Sequence, residues 1–336
     1  MVVLGSARGI RAEIAQRGAA LAALWTADRN GELANVVLGH RDEAARRQTR
    51  SFFGASVGRV AGRIRGARFI LDGHAHALAS ADGRSCLHGG PGGFDTLDWQ
   101  WLDVGDDFAR LQWRSADGDQ GFPGALSVTV EYRLAGDDAL HVDYTATCDR
   151  PTVVNLTHHP FWNLAGEGTG PVAAHRLAVP ASRFVELDAD LLPTGQLLDV
   201  AASPFDLRNA RTLGDGLAMT PRHPQLRHAG GYDHYLVLDA PVDGRLRRAA
   251  WLHDPHSGRV LEVLSDQPGL QVYTGNFLDG SLHGASGRPY TLHGAICLEP
   301  QGYPDAANEP AFPAITLRPG QVYRNRILYR FSKEPQ

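Results

Sequence analysis

The sequence predicts an all-β fold of antiparallel strands with only a few short helices. Its 336 residues include 38 glycines and 20 prolines, which are frequent in turns. No long segment repeats apolar residues at spacings of three and four, the pattern of an amphipathic helix. Several segments instead alternate apolar and polar residues with the two-residue period of a strand. Many strands connected by turns are therefore expected.

The first elements predicted along the chain are a strand and a short helix. Residues 19–25 are apolar and are followed at once by Thr26–Arg29, which favours a first strand over a signal peptide. Residues 42–50 predict a short, charged surface helix, because Ala44 and Ala45 favour helix and Gly54 closes the region.

A hairpin is the clearest strand signal further along the chain. Apolar and polar residues alternate over residues 126–134 and again over residues 140–146, with Gly136-Asp137-Asp138 as the turn between them. The alternation recurs at residues 260–264, and at residues 322–331 after a Pro319-Gly320 turn. Repeated hairpins predict stacked or curled antiparallel sheets.

The organisation of the chain favours one domain over residues 1–336. No Pro-rich or Ser-rich linker, low-complexity tract or fixed-period repeat divides the sequence. The candidate site residues are also scattered from Arg63 to Glu299, so that no shorter segment contains all of them.

Composition excludes several classes of partner. The 33 basic and 37 acidic residues are interspersed and give a net charge of -4, without a basic run that would bind nucleic acid. No apolar segment approaches the roughly 20 residues needed to cross a bilayer, so no membrane association is expected. Cys86, Cys148 and Cys297 are widely spaced and contain no CxxC pair, which suits a reducing cytoplasm. The oligomeric state is not predicted.

Two segments concentrate the residue types of a sugar site. Residues 155–166, from Asn155 to Gly166, combine histidine, aromatic and amide side chains between a predicted strand and a turn. Residues 297–306 place Glu299 after an apolar strand and before prolines and glycine. A histidine and a glutamate form an acid and base pair, and a carboxylate buried at a strand end is suited to act as a base.

These two segments, together with Gly58–Ile64 and Leu87–Gly90, resemble the aldose 1-epimerase (galactose mutarotase) family. The resemblance continues through Gly231–His234 and Gln271–Phe277 to Leu317–Gly320, in the family's order over nearly the whole chain. It implies a large antiparallel β-sandwich of the galactose mutarotase-like type, whose concave face holds the sugar. It also implies interconversion of the α and β anomers of a free aldose by ring opening, without a cofactor.

The resemblance also implies roles for individual residues. Glu299 matches the family's catalytic base and His159 its catalytic acid. The expected sugar contacts are Arg63, His88, Asp233, Gln271, Phe161 and Trp162. The chain departs from the family pattern at Gly62 and His158, where Asn is usual, at Phe161, where Tyr is usual, and at Pro160 and Pro300. The departures at Gly62, His158, Pro160 and Phe161 concern which sugar is used more than whether a proton can be moved, and Pro300 is a minor departure beside the base.

Reasoning from the residues alone leaves alternatives open. Glu299 with Asp233 or Asp305 could serve a glycoside hydrolase, which uses two carboxylates. The same side chains could bind a sugar without turnover. A hexose-phosphate or modified-sugar epimerase is a further alternative within the same reaction class. Close histidine pairs such as His74 and His76 lack the spacing of a helical zinc site, and no metal is predicted.

Overall fold

Strands make up most of the regular structure. The computed structural model describes residues 1–6, 9–136 and 138–334. Within these residues the strands are β1 (Val2–Gly5), β2 (Arg11–Ala15), β3 (Ala20–Ala27), β4 (Leu33–Asn35), β5 (Val37–Leu38), β6 (Ala55–Val57), β7 (Arg63–Arg65), β8 (Arg68–Leu71), β9 (His74–Ala77), β10 (Ser85–Leu87), β11 (Gln100–Val104), β12 (Phe108–Ser115), β13 (Leu126–Ala135), β14 (Ala139–Cys148), β15 (Thr152–Val153), β16 (Thr157–His159), β17 (Phe161–Trp162), β18 (Arg176–Ala178), β19 (Ala181–Leu187), β20 (Pro193–Asp199), β21 (Arg211–Thr212), β22 (Asp233–Leu238), β23 (Arg247–His253), β24 (Arg259–Ser265), β25 (Gly269–Tyr273), β26 (Ile296–Gln301), β27 (Thr316–Leu317) and β28 (Tyr323–Lys333).

The helices are short, as the sequence predicts. The α-helices are α1 (Glu43–Gln48), α2 (Leu213–Leu217) and α3 (Pro224–Ala229), and 3-10 turns lie at Phe94–Thr96, Asp119–Gly121 and Val172–Ala174. The prediction of a helix at residues 42–50 is confirmed by α1. Its N-cap is Asp42, whose carboxylate accepts a hydrogen bond of 2.8 Å from the Ala45 amide. None of the helices in the described part of the chain is long and apolar enough to cross a membrane.

Two large antiparallel sheets organise the molecule. One has nine strands in the order β11-β12-β13-β14-β28-β24-β23-β18-β21, and the other has seven in the order β20-β19-β22-β25-β26-β17-β5. A four-stranded sheet β1-β2-β3-β4 and several two-stranded pairs complete the described structure. The all-β prediction is therefore confirmed. The run at residues 19–25 is a strand, although the expectation that it comes first is wrong, because β1 and β2 precede it.

The predicted hairpin lies in the interior of the nine-stranded sheet, next to its central strand β28. Strands β13 and β14 pair over their full length, from Leu126 opposite Cys148 to Ala135 opposite Ala139. Asp137, in the predicted turn, lies outside the described residues. The segments at residues 260–264 and 322–331 fall in β24 and β28, which also pair with each other. These strand predictions are confirmed.

The main core contains side chains from both large sheets. It includes Val130 and Tyr329 of the nine-stranded sheet, and Ile296 and Leu298 of the seven-stranded sheet. Because side chains alternate along a strand, Cys297, Glu299 and Gln301 lie on the opposite face of β26. The seven-stranded sheet therefore has one face in the core and one face available for a site. That residues 1–336 form one domain stays a prediction.

Candidate active site

Three neighbouring strand segments position the predicted acid and base. Glu299 lies within β26, where it is opposite Gln271 of β25, and β17 pairs with the other edge of β26. His159 ends β16, two residues before Phe161 of β17. Sequence reasoning placed Glu299 at a strand end, but β26 continues to Gln301. The carboxylate is therefore held by a strand that is hydrogen-bonded on both sides.

The two side chains face each other across a short gap. His159 Nε2 lies 3.5 Å from Glu299 Oε1, and the two residues are only 5% and 2% exposed. Among the described residues, neither His159 Nδ1 nor Glu299 Oε2 has a hydrogen-bond partner. Buried polar atoms are normally hydrogen-bonded, so unpartnered ones beside a cavity are suited to a ligand that supplies donors and acceptors.

Burial sets the protonation of the pair. It raises the pKa of Glu299 well above its usual range, and the nearby Asp233 carboxylate raises it further. Burial lowers the pKa of His159 to about 4. A single proton shared by the pair is thus favoured on Glu299, with a neutral imidazole beside it. Moving that proton to His159 creates the carboxylate and imidazolium without changing the net charge.

Aromatic rings fix the orientation of the His159 imidazole. It stacks on Phe161 with a centroid distance of 5.0 Å and on Phe52 at 5.8 Å, both at an interplanar angle of 23°. The edge of the His88 ring approaches it at 5.5 Å. These apolar faces exclude water from the ring and leave its Nε2 edge directed at Glu299.

Asp233, Gln271 and Arg63 form a polar group next to Glu299. The Gln271 amide donates a hydrogen bond of 2.7 Å to Asp233 Oδ1, and Arg63 lies 3.8 Å from Asp233 Oδ2. Burial raises the pKa of Asp233, whereas Arg63 and Gln271 lower it. The group presents carboxylate, amide and guanidinium side by side, which suits adjacent hydroxyls of a ligand.

His88 is held at the cavity by a tight backbone turn. It adopts a left-handed φ of +51°, and Gly89 follows at +83°. A Cβ at Gly89 would lie 2.0 Å from the Gly58 carbonyl oxygen, so the close approach requires glycine. The Gly62 amide donates to His88 Nδ1 at 3.2 Å, which places the proton of a neutral ring on Nε2. Burial lowers the pKa of His88 well below its usual value, so the ring is neutral.

These side chains line one cavity of about 260 Å³, called the main cavity below. Seven of the eight predicted site residues line it: Glu299, His159, Arg63, His88, Asp233, Gln271 and Phe161. Its volume lies near the lower end of the range of about 300–1,000 Å³ typical of small-molecule sites. The structure thus brings together residues from six separate parts of the chain.

Trp162 is the predicted site residue that lies elsewhere. Its side chain is fully buried in the main core, where its ring packs 5.0 Å from Tyr329 and 5.8 Å from Phe331. Alternation along β17 explains the placement, because Phe161 on one side faces the cavity and Trp162 must then face the core. The expected sugar contact of Trp162 is therefore corrected to a packing role.

The two amides of the histidine motif also have structural partners. The Asn163 amide donates to the carbonyls of Gly170 and Gly294, both at 2.9 Å. Asn155 both donates to and accepts from the backbone of Gly302, at 3.2 and 2.8 Å. They secure the loop around the site and do not reach the main cavity.

Several lining residues were not found by sequence reasoning. Phe52, with a left-handed φ of +61°, stacks on His159 and packs against His88 at a tilted angle of 55°. Tyr273 and the exposed Phe277 stack on each other at the rim, and Leu187 and Leu191 lie in another segment of the wall. Tyr273 and Phe277 lie in the segment Gln271–Phe277 that carries the family resemblance, and the adjacent pair Phe52-Phe53 before Gly54 was a further local signal.

One group of possible metal ligands lies at the site. Within the described residues, donor atoms of His159, Cys297 and Glu299 lie within 4.8 Å of one another. Burial raises the pKa of the Cys297 thiol well above its usual value, and Glu299 raises it further. A metal would need the thiolate, so this environment opposes metal binding. The absence of a metal stays a prediction.

Comparison with known proteins identifies the class of enzyme. Galactose mutarotase from Bos taurus is 42% identical over 325 residues, covering 96% of this chain and 91% of the relative. Aldose 1-epimerase from Escherichia coli K12 is 35% identical over 307 residues, covering 91% and 87%. Such similarity over most of both chains defines an isomerase of the epimerase class.

The family follows from the whole chain. The model of the family described as aldose 1-epimerase matches residues 1–330. The crystal structure of a GalM/aldose epimerase homologue from C. elegans superposes with a TM-score of 0.90 at 29% identity, covering 99% of this chain and 98% of the other. Galactose 1-epimerase from Lactobacillus acidophilus gives 0.85 at 25% identity, covering 98% and 93%. The chain belongs to the aldose 1-epimerase family, and the predicted antiparallel β-sandwich is confirmed.

Proposed function

We propose that this protein interconverts the α and β anomers of a free aldose, with Glu299 as general base and His159 as general acid. The observation that carries the proposal is the buried contact of 3.5 Å between the two side chains on the wall of the main cavity. The curated names of its relatives, galactose mutarotase and aldose 1-epimerase, support the same reaction.

Binding of the sugar must move the shared proton from Glu299 to His159 before the reaction can start. Before the sugar binds, the shared proton is favoured on Glu299, because burial penalises the carboxylate. A bound sugar donates its anomeric hydroxyl to the carboxyl group, and hydrogen bonds of this kind stabilise the charged form. The proton then moves to His159, which is 3.5 Å away, and the reactive pair of carboxylate and imidazolium is formed.

Ring opening then uses both groups. Glu299 removes the proton of the anomeric hydroxyl while His159 donates its proton to the ring oxygen, so that the bond from C1 to the ring oxygen breaks. Rotation about C1–C2 and reclosure on the other face of the aldehyde reverse both transfers. The side chains return to their starting states, and no redox change or external acceptor is needed. General acid and base contributions of about 10² to 10⁴ each correspond to roughly 3–5 kcal/mol.

The polar group beside Glu299 positions the sugar. Asp233 and Gln271 offer acceptors and a donor to ring hydroxyls, and Arg63 adds donors from β7. His88 presents Nε2–H next to the Gly62–Arg63 segment, while Phe161 supplies an apolar face. We also propose a cytoplasmic setting, which the three free thiols support.

Anomer exchange measured by NMR tests the proposal. The rate of anomer exchange is measured for equilibrated glucose, galactose, xylose and arabinose in weakly buffered solution. Each sugar is measured once with wild type and once with Glu299→Gln. Wild type should accelerate exchange of at least one sugar, and Glu299→Gln should lose most of the acceleration while keeping its thermal unfolding midpoint. Exchange at the buffer rate with all four free sugars would overturn the proposal and redirect it to phosphorylated or modified sugars.

Assays of the same proteins with glycosides distinguish hydrolysis from anomer exchange. A glycoside hydrolase would release reducing sugar from aryl or methyl glycosides through two carboxylates. Asp305, one of the partners considered for Glu299, does not line the main cavity; its Oδ1 accepts hydrogen bonds from the Arg65 amide and from Asn308. Release of sugar from a glycoside at a rate comparable with anomer exchange would favour hydrolysis.

A further inference from the structure

A second cavity lies beside the main cavity and shares a wall with it. Its volume is about 350 Å³, and residues 50–53 line both cavities. Four arginines line the second cavity: Arg17, Arg46, Arg47 and Arg50. Asp95 is the single carboxylate among its described lining residues. The wall therefore carries an excess of positive charge.

Two of these arginines are fully paired. Arg50 holds Asp95 through two hydrogen bonds of 2.7 and 2.8 Å, and Arg47 holds Asp98 through two of 2.8 and 3.0 Å. Such bidentate pairs satisfy both partners. They leave the remaining two arginines as the available positive charges of the cavity.

Arg46 is buried without adequate partners. It is 8% exposed, its Nε has no hydrogen-bond partner among the described residues, and its ion pair with Glu43 is long, at 3.5 Å. Burial lowers the pKa of the Arg46 guanidinium and the charge of Arg17 lowers it further, although Glu43 opposes both. A buried cation lacking hydrogen bonds is costly. An anion in the cavity would remove that cost.

Arg17 approaches from a different element and adds a like charge. It lies between β2 and β3, whereas Arg46 lies in α1. The Arg17 side chain forms no hydrogen bond or ion pair within the described residues. Two like charges converging on one cavity repel each other unless an anion lies between them.

We propose that the second cavity binds a phosphate group, with Arg17 and Arg46 as its charged ligands. A tetrahedral dianion accepts hydrogen bonds from two guanidinium groups that approach from separate directions, and arginine forks match phosphate oxygens. The Thr49 hydroxyl and the Gln48 amide lie in the same wall and supply neutral donors. The phosphate group is either free inorganic phosphate or part of a sugar phosphate.

Calorimetric titration with inorganic phosphate tests the site. Arg17→Met and Arg46→Met keep much of the apolar stem and remove the charge, and each should weaken phosphate binding by about tenfold or more. Arg318→Met is the matched control, because Arg318 is an exposed arginine paired with Asp72. It removes the same charge and should leave phosphate affinity unchanged. If Arg46→Met fails to fold, the phosphate affinity of Arg17→Met decides the outcome, because Arg17 is only half-buried.

A second titration distinguishes the two sources of the phosphate group. Binding of inorganic phosphate that is equal with and without saturating galactose supports a free anion. Binding of galactose 6-phosphate that is tighter than that of either component, and is reversed by galactose, supports a phosphate carried by the sugar. No phosphate binding by wild type at millimolar concentration, equal affinity in folded Arg17→Met, or equal loss in Arg318→Met would overturn the proposal.

Discussion

His158 and His159 are adjacent in β16, and both are buried, yet they belong to opposite sides of a sheet. Burial lowers the pKa of His158 to about 3 and that of His159 to about 4. His158 Nδ1 lies 3.2 Å from the Tyr329 hydroxyl in the core, whereas His159 Nε2 faces Glu299 at the main cavity. Burial and a lowered pKa therefore do not distinguish the packing residue His158 from the proposed catalytic residue His159. The two differ in the side chain that each contacts and in the face of the strand on which each lies.

The largest expected contrast is between His159→Asn and His158→Asn. The first removes the proposed acid and should lower kcat for anomer exchange by about 10² to 10⁴. The second changes a residue on the core face and should leave kcat within about threefold, a change of under 1 kcal/mol in the barrier. Exchange rates by NMR measure both. Equal losses of rate in two variants that are equally folded would show that the two histidines do not differ in role.

Asp233 and Asp305 allow the same comparison between a buried side chain that lines the main cavity and one that does not, now for carboxylates. Asp233→Asn should raise KM by about 10- to 100-fold, since hydrogen bonds to a charged group contribute about 1.5–3 kcal/mol. Asp305→Asn is the control, because Asp305 is buried outside the main cavity. It should lower the unfolding midpoint and leave KM unchanged. Unchanged KM in Asp233→Asn would remove that residue from the substrate contacts.

The pH profile of kcat/KM should be bell-shaped, because the pair acts with one proton. As the pH falls through about 4, the lowered pKa of His159, the imidazole gains a proton while Glu299 keeps its own, and no base is left. As the pH rises past the raised pKa of Glu299, the pair loses its only proton. The rate should change about tenfold per pH unit on each limb. A rate that does not fall below about pH 4 in folded protein would contradict a one-proton pair.

Smaller effects are expected on the unfolding free energy. For this quantity the core-face residue of β17 should matter more than the cavity-face residue. Substituting Trp162 by Phe removes core packing at a position whose Nε1 has no partner among the described residues, and should cost about 1–3 kcal/mol of unfolding free energy. Substituting Phe161 by Tyr, the residue usual in the family, should cost less and act on KM. Chemical denaturation and exchange kinetics measure both variants. A larger effect on KM from Trp162→Phe would place the tryptophan at the site after all.

Acid should destabilise the fold through the core-face histidines. His158 and His234 have pKa values lowered from 6.5 to about 3 by burial, so below pH 6.5 the unfolded chain binds protons that the folded chain does not. Their contribution to stability is present above pH 6.5 and is lost progressively as the pH falls towards 3. Denaturation midpoints measured at each pH separate this loss from the acid limb of the rate.

Local pattern predicted the strands, because alternation and turns are local properties, whereas the roles of the motif residues came from the family resemblance. The β13–β14 hairpin and α1 follow directly from the local pattern. The packing of the cavity did not follow, since Phe52, Tyr273 and Phe277 reach it from loops and strands whose neighbours are set by sheet order. The same cause explains the error at Trp162. Composition around the motif indicated a sugar site, but the face of each residue depends on the register of β17 with β26.

The positions of the six tryptophans determine which events change the intrinsic fluorescence of this enzyme. None of them lies among the described residues that line the main cavity, and Trp99 and Trp162 are fully buried in the core. Intrinsic fluorescence should therefore follow unfolding closely and respond weakly to a sugar in the cavity. Replacing the exposed rim residue Phe277 with Trp would place a fluorophore next to Tyr273, where binding could be followed directly.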